Sequence, residues 1–174
     1  MAGVPDQLTL ERHRDLVGVG GLWARRLVVS LLAAISILGL ANVFGQRPGT
    51  STAATPKARL ELYAPAHLRG GLLFSARFHI YAKDEIKNAF LILDPGWLES
   101  MAVNTIEPSP LGEASANGRL SLQLGHIPKG SSHILFMQFQ VNPTNVAWAR
   151  SADVELTDGP TPLLHIAHHF TIYP

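Results

Sequence analysis

The sequence LLFSARFHIY, residues 72–81, indicates the fold class of the larger part of this chain. Apolar side chains recur there at every second position, at Leu72, Phe74, Ala76, Phe78 and Ile80. The positions between and after them hold Ser75, Arg77, His79 and Tyr81. An alternation with a period of two is typical of a half-buried antiparallel β-strand, because successive side chains of a strand point to opposite faces of the sheet.

Shorter apolar runs lie on both sides of this stretch and are separated by turn-forming residues. They cover residues 59–64, 88–93, 101–106, 120–124, 133–141, 154–156 and 163–173. Asn117-Gly118 and Asp158-Gly159 between them are typical of tight hairpin turns. About eight strands without a helix predict an antiparallel β-sandwich of immunoglobulin type over residues 58–174, with a small barrel as the alternative.

Two of the connections are predicted in more detail. Asp94-Pro95-Gly96 has Pro and Gly at the positions that suit a type II turn, and Asp94 is expected to cap this turn. Residues 112–116 are predicted to be a polar loop, because they contain no apolar run.

A second informative stretch, LVVSLLAAISILGLANVF at residues 27–44, carries no charged side chain. A helix of this length spans about 27 Å, which is close to the hydrocarbon thickness of a bilayer. The segment therefore predicts a transmembrane helix rather than a buried helix of a soluble core. It makes the lipid bilayer the expected partner of residues 27–44.

Basic residues predict the direction of insertion. Arg12, Arg14, Arg25 and Arg26 precede the apolar segment, whereas Arg47 follows it. By the positive-inside rule, residues 1–26 are a cytoplasmic tail and the C-terminal domain lies outside the membrane. Small residues near the end of the segment also resemble a signal-peptide cleavage site. Because the apolar stretch is longer than a typical signal peptide, we expect an uncleaved anchor.

The residues between the apolar segment and the first predicted strand have the composition of a linker. Residues 45–57 read GQRPGTSTAATPK and are rich in Gly, Pro, Ser and Thr. Such a segment has little to bury, so it predicts a flexible stalk that connects the membrane span to the domain.

Composition excludes several classes of function. The formal net charge of +1 over 174 residues gives no basis for nucleic-acid binding. The chain has no cysteine, which excludes disulfides, thiolate metal sites and cysteine nucleophiles. We expect no cofactor.

Two segments carry a resemblance to known domains. After the long strand come NAFLILDP at residues 88–95 and LQLGHIPKGS at residues 122–131. In this order the chain resembles the Ig-like domains of bacterial cell-surface proteins, including the CARDB-like group, in which an LxLGxLxxGxS run leads into the strand before a closing hairpin. The resemblance covers roughly residues 59–156. It implies a non-catalytic extracytoplasmic interaction or spacer module, and it carries over no site residue. The chain departs from the group in placing a single domain on a membrane span.

The histidines near the C-terminus do not fit a metal site on one strand. His165 and His169 lie four positions apart, which is about 13 Å along a strand, and His168 points to the other face. Histidines on other strands could join them, but no spacing requires it. His168 is on an apolar face, so we expect it to be hydrogen-bonded within the sandwich or near its rim.

Catalytic motifs are absent from the sequence. There is no G-x-S-x-G elbow, no H-E-x-x-H and no Gly-rich phosphate loop. We therefore expect the protein not to be an enzyme. The alternative is a cleaved, secreted domain with hydrolytic or metal-dependent activity.

Aromatic residues near predicted loop tips are the candidates for binding. Trp97 and Leu98 follow the predicted turn, and Trp148 lies in the loop after Asn142-Pro143. Tryptophan at such positions often anchors an interface, so we predict Trp97, Leu98 and Trp148 to be partner-binding residues. In the alternative, Trp97 folds back and fills the end of the sandwich. The predicted function is an accessory module that binds another membrane or envelope protein.

Overall fold

The computed structural model describes residues 19–41, 43 and 45–174, with side chains from residue 21 onward. The chain forms two compact units, Met1–Phe44 and Gly45–Pro174. Most of the tail predicted over residues 1–26 lies outside the described residues.

Helix α1 (Val19–Leu40) makes up most of the described part of the first unit. Its segment Gly21–Leu40 is apolar and long enough to cross a membrane, with a mean hydropathy of 1.7. The prediction of one apolar helix near the N-terminus is therefore confirmed, but its bounds differ from the predicted 27–44. The helix already includes Arg25 and Arg26, and after Leu40 the chain turns, with the Val43 amide donating to the Leu38 carbonyl at 3.1 Å.

The second unit is built of strands and one short 3-10 helix (Pro95–Trp97). The strands are β1 (Pro48–Ala54), β2 (Ala58–Pro65), β3 (His67–Arg69), β4 (Leu73–Ala82), β5 (Ile86–Leu93), β6 (Met101–Glu107), β7 (Gly112–Ala116), β8 (Arg119–Ile127), β9 (Ser132–Val141), β10 (Ala147–Ser151), β11 (Val154–Asp158), β12 (Thr161–Ile166) and β13 (His169–Tyr173).

These strands form three sheets. Sheet I has the order β1-β2-β4-β9-β6, sheet II has the order β12-β11-β5-β8-β7, and the end sheet has the order β10-β13-β3. Hydrogen-bonded neighbours are antiparallel, apart from the parallel pair β13 and β3. The predicted fold class, one N-terminal helix followed by an antiparallel β-sandwich, is confirmed.

The inward-facing side chains of all three sheets share one hydrophobic core. In β4, buried Phe74, Ala76, Phe78 and Ile80 alternate with more exposed residues, as the period of two predicts. Leu72 was predicted to share that face, but it precedes the strand and is 48% exposed. A sandwich of this kind is held together by apolar burial, since the chain has no disulfide.

The prediction of a flexible linker over residues 45–57 is wrong for Pro48–Ala54, which form β1. This strand pairs with β2 from Pro48 opposite Pro65 to Ala54 opposite Arg59. Its side chains are mostly small and exposed, so backbone hydrogen bonds rather than apolar burial hold it in the sheet. The prediction of a polar loop over residues 112–116 is also wrong, because these residues form edge strand β7, which pairs with β8. The side chains of β7 are likewise mostly small and exposed, so backbone hydrogen bonds hold this strand in sheet II.

The predicted type II turn at residues 94–96 is also wrong. The chain forms a 3-10 turn instead, in which the Trp97 amide donates to the Asp94 carbonyl at 3.1 Å. Gly96 does not adopt the positive φ that a type II turn requires. Glycine is needed there for another reason, because a Cβ atom would lie 1.8 Å from the Ser151 carbonyl oxygen.

The last predicted strand, residues 163–173, is divided between two sheets. β12 belongs to sheet II and β13 to the end sheet, with a break at Ala167 and His168. The alternation nevertheless continues across the break, since Leu164, Ile166, His168, Phe170 and Ile172 are all buried.

Candidate functional site

The outward side of sheet I carries apolar and aromatic side chains on its central strands. Tyr63 of β2, Tyr81 of β4, and Ile134 and Phe136 of β9 are 38%, 41%, 39% and 49% exposed. The solvent side of an antiparallel sheet normally carries polar residues. We call this surface, together with Arg77, the aromatic face.

The strand register brings the centre of the aromatic face into one row. Arg77 lies opposite Tyr63 of β2 and opposite Phe136 of β9. The Arg77 guanidinium carbon is 5.0 Å from the centroid of the Tyr63 ring, a cation–π geometry. The ring thus holds the guanidinium against the sheet between two exposed aromatic side chains.

A groove with charges of both signs lies beside this row. Arg59, Glu61, His79 and Tyr81 line it. The Glu61 carboxylate pairs with Arg59 and lies 3.6 Å from Nδ1 of His79. The surface therefore offers an apolar centre and a polar margin, which is the usual composition of a protein–protein interface.

Trp97 lies in the core, so the prediction that it binds a partner is wrong. Its side chain is fully buried, and its Nε1 donates to the Ala152 carbonyl at 2.7 Å. The 3-10 turn folds the ring back into the end of the sandwich, as the alternative prediction has it. Leu98 is partly buried against the same core.

Trp148 is 80% exposed, and its role in binding stays a prediction. It lies in the irregular part of β10 between Ala147 and Arg150, next to Ala149 with φ of +50°. Left-handed backbone at alanine is strained, and such irregularities commonly re-aim a side chain. The Trp148 ring meets Tyr173 edge-on at 6.2 Å, and Tyr173 stacks on His67 at 6.0 Å.

The histidines of sheet II pair with carboxylates. Nε2 of His165 lies 3.1 Å from Asp153 Oδ2, and Nε2 of His126 lies 3.0 Å from Glu85 Oε1. Asp153 also accepts a hydrogen bond from the backbone amide of His168 at 3.1 Å, which fixes the crossing from β12 to β13. In the part of the chain that the structure describes, no three His, Asp or Glu side chains form a group that could hold a metal ion.

Arg119 holds a cluster of charges on sheet II. Its Nε donates to Asp94 at 2.8 Å and its second guanidinium nitrogen donates to Glu155 at 3.2 Å. Partial burial opposes the charged form, but the bonds and charges of the two carboxylates outweigh it and raise the pKa of Arg119. The prediction that Asp94 caps its own turn is therefore wrong, because its side chain makes no capping hydrogen bond and instead joins strands through Arg119.

His168 is buried, as the sequence predicts, with Nε2 at 3.4 Å from the Pro65 carbonyl oxygen and its ring stacked on Trp97 at 5.8 Å. Burial lowers the pKa of His168 below its ordinary value of 6.5, and the charge of His169 acts in the same direction. The hydrogen bond to Pro65 and the charge of Asp153 oppose this shift without cancelling it. Burial also lowers the pKa of His133.

We therefore expect the free energy of unfolding to decrease as the pH falls below about 6.5. The unfolded chain then takes up protons that the folded His168 and His133 resist. The contribution is complete above the unfolded-state pKa and is lost as the pH falls towards the folded-state values. Its slope is limited to about 1.4 kcal/mol per pH unit for each histidine.

Urea unfolding of the full chain in detergent micelles, between about pH 7.5 and pH 5, measures this slope. The His168→Phe variant retains an aromatic ring beside Trp97 and should reduce the slope. An unchanged slope in His168→Phe would show that His168 does not contribute to the pH dependence of the free energy of unfolding.

The aromatic face was missed in the sequence analysis, although a signal for it exists. In β9 the inward Leu135 and Met137 alternate with the outward Ile134 and Phe136, so both faces of the strand are apolar. When the solvent-facing side chains of a strand are apolar as well as the core-facing ones, the exposed side of the sheet is a candidate for binding a partner.

Comparisons with known proteins give no family. No protein-family model and no curated protein matches the chain. Solved structures match only weakly. AvmM, which catalyses macrocyclization in alchivemycin A biosynthesis, aligns with a TM-score of 0.37 and 10% identity over 75% of this chain and 92% of its own.

Two larger proteins align over part of their length. The alkylpurine DNA glycosylase AlkC of Pseudomonas fluorescens has a TM-score of 0.33 and 10% identity over 63% of this chain. The GH20 exo-β-N-acetylglucosaminidase of Vibrio harveyi has a TM-score of 0.32 and 9% identity over 74% of this chain. This chain spans 28% of the glycosylase and 18% of the glucosaminidase. Similarities this weak define neither a family nor a function.

Proposed function

We propose that this protein is a membrane-anchored, non-enzymatic binding module that holds another membrane or envelope protein against the aromatic face. The observation that carries the proposal is the row Tyr63, Arg77 and Phe136 on the outward side of sheet I. Tyrosine, arginine and phenylalanine are enriched in interface cores, where few residues carry most of the binding free energy.

The arrangement of the row favours specific binding over a merely apolar surface. Arg77 is already held by the Tyr63 ring at 5.0 Å, so little conformational freedom is lost when a partner covers it. Glu107 of β6 lies opposite Phe136 and Glu61 lies opposite His79, so charges of both signs border the apolar centre. Charges in such an arrangement select the partner and its orientation.

The proposed anchor is α1, with the N-terminus in the cytoplasm and the β-sandwich outside. Gly21–Leu40 as a helix is about 30 Å long, which matches a bilayer core. Arg25 and Arg26 lie towards its N-terminal end, and the Arg26 guanidinium carbon is 5.9 Å from the centroid of the Trp23 ring. Tryptophan and arginine prefer the interface, and arginine prefers its cytoplasmic side.

Site-specific photocrosslinking in native membranes tests the binding surface. We expect a photoreactive phenylalanine analogue at Phe136 to give one discrete crosslinked protein. The matched control is the same analogue at Leu111, which is 75% exposed and precedes β7 of sheet II. Equal crosslinking from both positions, or none from Phe136, would overturn the proposal.

The variant Phe136→Ser makes the test quantitative. It should reduce the amount of the crosslinked protein that copurifies in mild detergent at least tenfold, since an anchoring aromatic contributes about 2 kcal/mol or more. Leu111→Ser should retain the partner. Both variants change exposed side chains, so their unfolding midpoints should stay close to that of the parent. A separate measurement tests the anchor. N-terminal sequencing of the membrane-bound protein shows whether the N-terminal segment is retained, as an anchor requires, or removed, as a cleaved signal peptide would be.

A further inference from the structure

The end of the sandwich at which β1 begins carries a second exposed apolar surface. Leu72, Leu73, Val146 and Trp148 are 48%, 49%, 60% and 80% exposed. We call this end the base and these four residues the basal patch. The patch borders the aromatic face, because Leu73 is the first residue of β4 and lies on the same side of sheet I as Arg77. Its other members lie outside that face, since Leu72 precedes β4, Val146 precedes β10 and Trp148 lies in β10.

Hydrogen bonds connect the parts of the basal patch. The Val141 amide donates to the Leu72 carbonyl at 3.0 Å, and the Gly70 amide donates to the Tyr173 carbonyl at 2.8 Å. Tyr173 in turn meets the Trp148 ring. The patch is therefore fixed on the ends of β4, β9 and the end sheet.

The chain enters the sandwich at this same end. Pro48, the first residue of β1, lies opposite Pro65. Gln46 and Pro48 line a groove together with Tyr63, Pro65, Phe74 and Ser75, and Phe74 directly follows Leu73. Through Tyr63 this groove also borders the aromatic face. The part of the chain that follows α1 in the sequence thus joins the sandwich beside the basal patch.

Few residues separate this end from the proposed anchor in the sequence. Only residues 41–47 lie between Leu40, the last residue of α1, and Pro48. A segment of this length spans at most about 25 Å when fully extended. In a chain anchored through α1, this short connection keeps lipid within reach of the basal patch.

The chemistry of the base suits a lipid interface. Tryptophan and tyrosine prefer the level of the headgroups, where an apolar ring and a polar edge are both satisfied. The exposed Arg47 and Arg69 lie at the same end and can meet anionic headgroups. Glu99 is also at this end, but its carboxylate lies 3.5 Å from Nε of Arg150, which offsets its charge.

We propose that the basal patch rests on the headgroup region of the membrane that holds α1. Trp148 and Val146 insert their side chains, and Leu72 and Leu73 extend the contact. The left-handed backbone at Ala149 would then serve to direct the neighbouring Trp148 side chain away from the core and towards the lipid. This inference rests on the proposed anchoring of the protein but not on the identity of the partner at the aromatic face.

Spin labelling tests the contact, and the absence of cysteine from the chain allows single labels at chosen positions. The full-length protein is reconstituted in vesicles of phosphatidylcholine and phosphatidylglycerol. A nitroxide at Val146→Cys should collide with oxygen several-fold more often, relative to a water-soluble nickel complex, than the same label at Leu111→Cys. The control Leu111 is exposed and apolar like Val146, but it lies away from the base.

A third label separates failure of the inference from failure of its premise. A nitroxide at Leu32→Cys in α1 reports whether the helix is inserted. An inserted Leu32 label with a water-exposed Val146 label overturns the lipid contact and leaves the anchor intact. A water-exposed Leu32 label overturns both. A Val146 label that is water-exposed in vesicles but immobilised in native membranes assigns the basal patch to a protein, which also overturns the inference.

Discussion

Replacing Trp97 by alanine is expected to lower the free energy of unfolding by about 3–5 kcal/mol. The ring is fully buried and packs against Phe78, Phe139 and Phe170 at centroid distances of 5.6, 5.4 and 4.8 Å. The substitution leaves a large cavity and removes the donor to the Ala152 carbonyl. Since domains are stable by only about 5–15 kcal/mol, this loss is a substantial fraction of the total.

Denaturant unfolding of the full chain in detergent micelles, followed by circular dichroism, measures the effect. Trp97→Phe retains a ring but not the hydrogen bond, so it should cost about 1–3 kcal/mol. Leu111→Ala, at a side chain that is 75% exposed and lies away from the base, is the control and should change stability by about 0.5 kcal/mol or less. Equal losses in Trp97→Ala and Leu111→Ala would contradict the buried position of the Trp97 ring.

Replacing Gly96 by alanine is expected to have the second largest effect, about 3 kcal/mol or more. The new Cβ atom would lie 1.8 Å from the Ser151 carbonyl oxygen and 3.3 Å from the Ala152 Cα atom. Both are backbone atoms, so no side-chain rotation relieves the overlap. The segment between β10 and β11 must move away from the 3-10 turn, which also disturbs the acceptor of the Trp97 hydrogen bond.

The control for this substitution is Gly49→Ala in β1. A Cβ atom there meets nothing within 4 Å, so the change should be within about 0.5 kcal/mol. The same unfolding measurement compares the two variants. If Gly96→Ala were as stable as Gly49→Ala, the close approach between the turn and Ser151 would be wrong.

The central strands could be predicted from the sequence because their two faces differ in polarity. β4 and β2 each alternate between buried and more exposed side chains. The hairpin turns follow from local chemistry, since Asn117 and Gly118 both have positive φ, at 52° and 76°. In these elements the local preference and the tertiary environment agree.

Edge strands and the end sheet could not be predicted in this way. β1 and β7 are made of small residues that bury little, and β3 has only three residues, paired in parallel with β13 at the far end of the sequence. The stabilisation of these strands comes from backbone partners that the fold supplies. No pattern within a short window of the sequence indicates such partners.

The candidate site also contains features that the sequence alone does not predict. The apolar neighbourhood of Trp97 and the exposure of Trp148 could not be distinguished from the sequence, because both tryptophans follow a proline-containing turn. Only the packing of the 3-10 turn against Ser151 and Ala152 separates them. The aromatic face likewise depends on the register that aligns Tyr63, Arg77 and Phe136 across three strands.

The incorporation of β1 into sheet I has a mechanical consequence. Tension on the chain at Gly45 would reach the sandwich through Pro48, at one end of the β1–β2 ladder. The ladder would then open from that end, one hydrogen-bonded pair after another, and bonds broken in series resist less force than bonds broken together. The seven residues of β1 would release about 24 Å of extended chain. Under tension, β1 would therefore detach from β2 and lengthen the connection before the hydrophobic core unfolds.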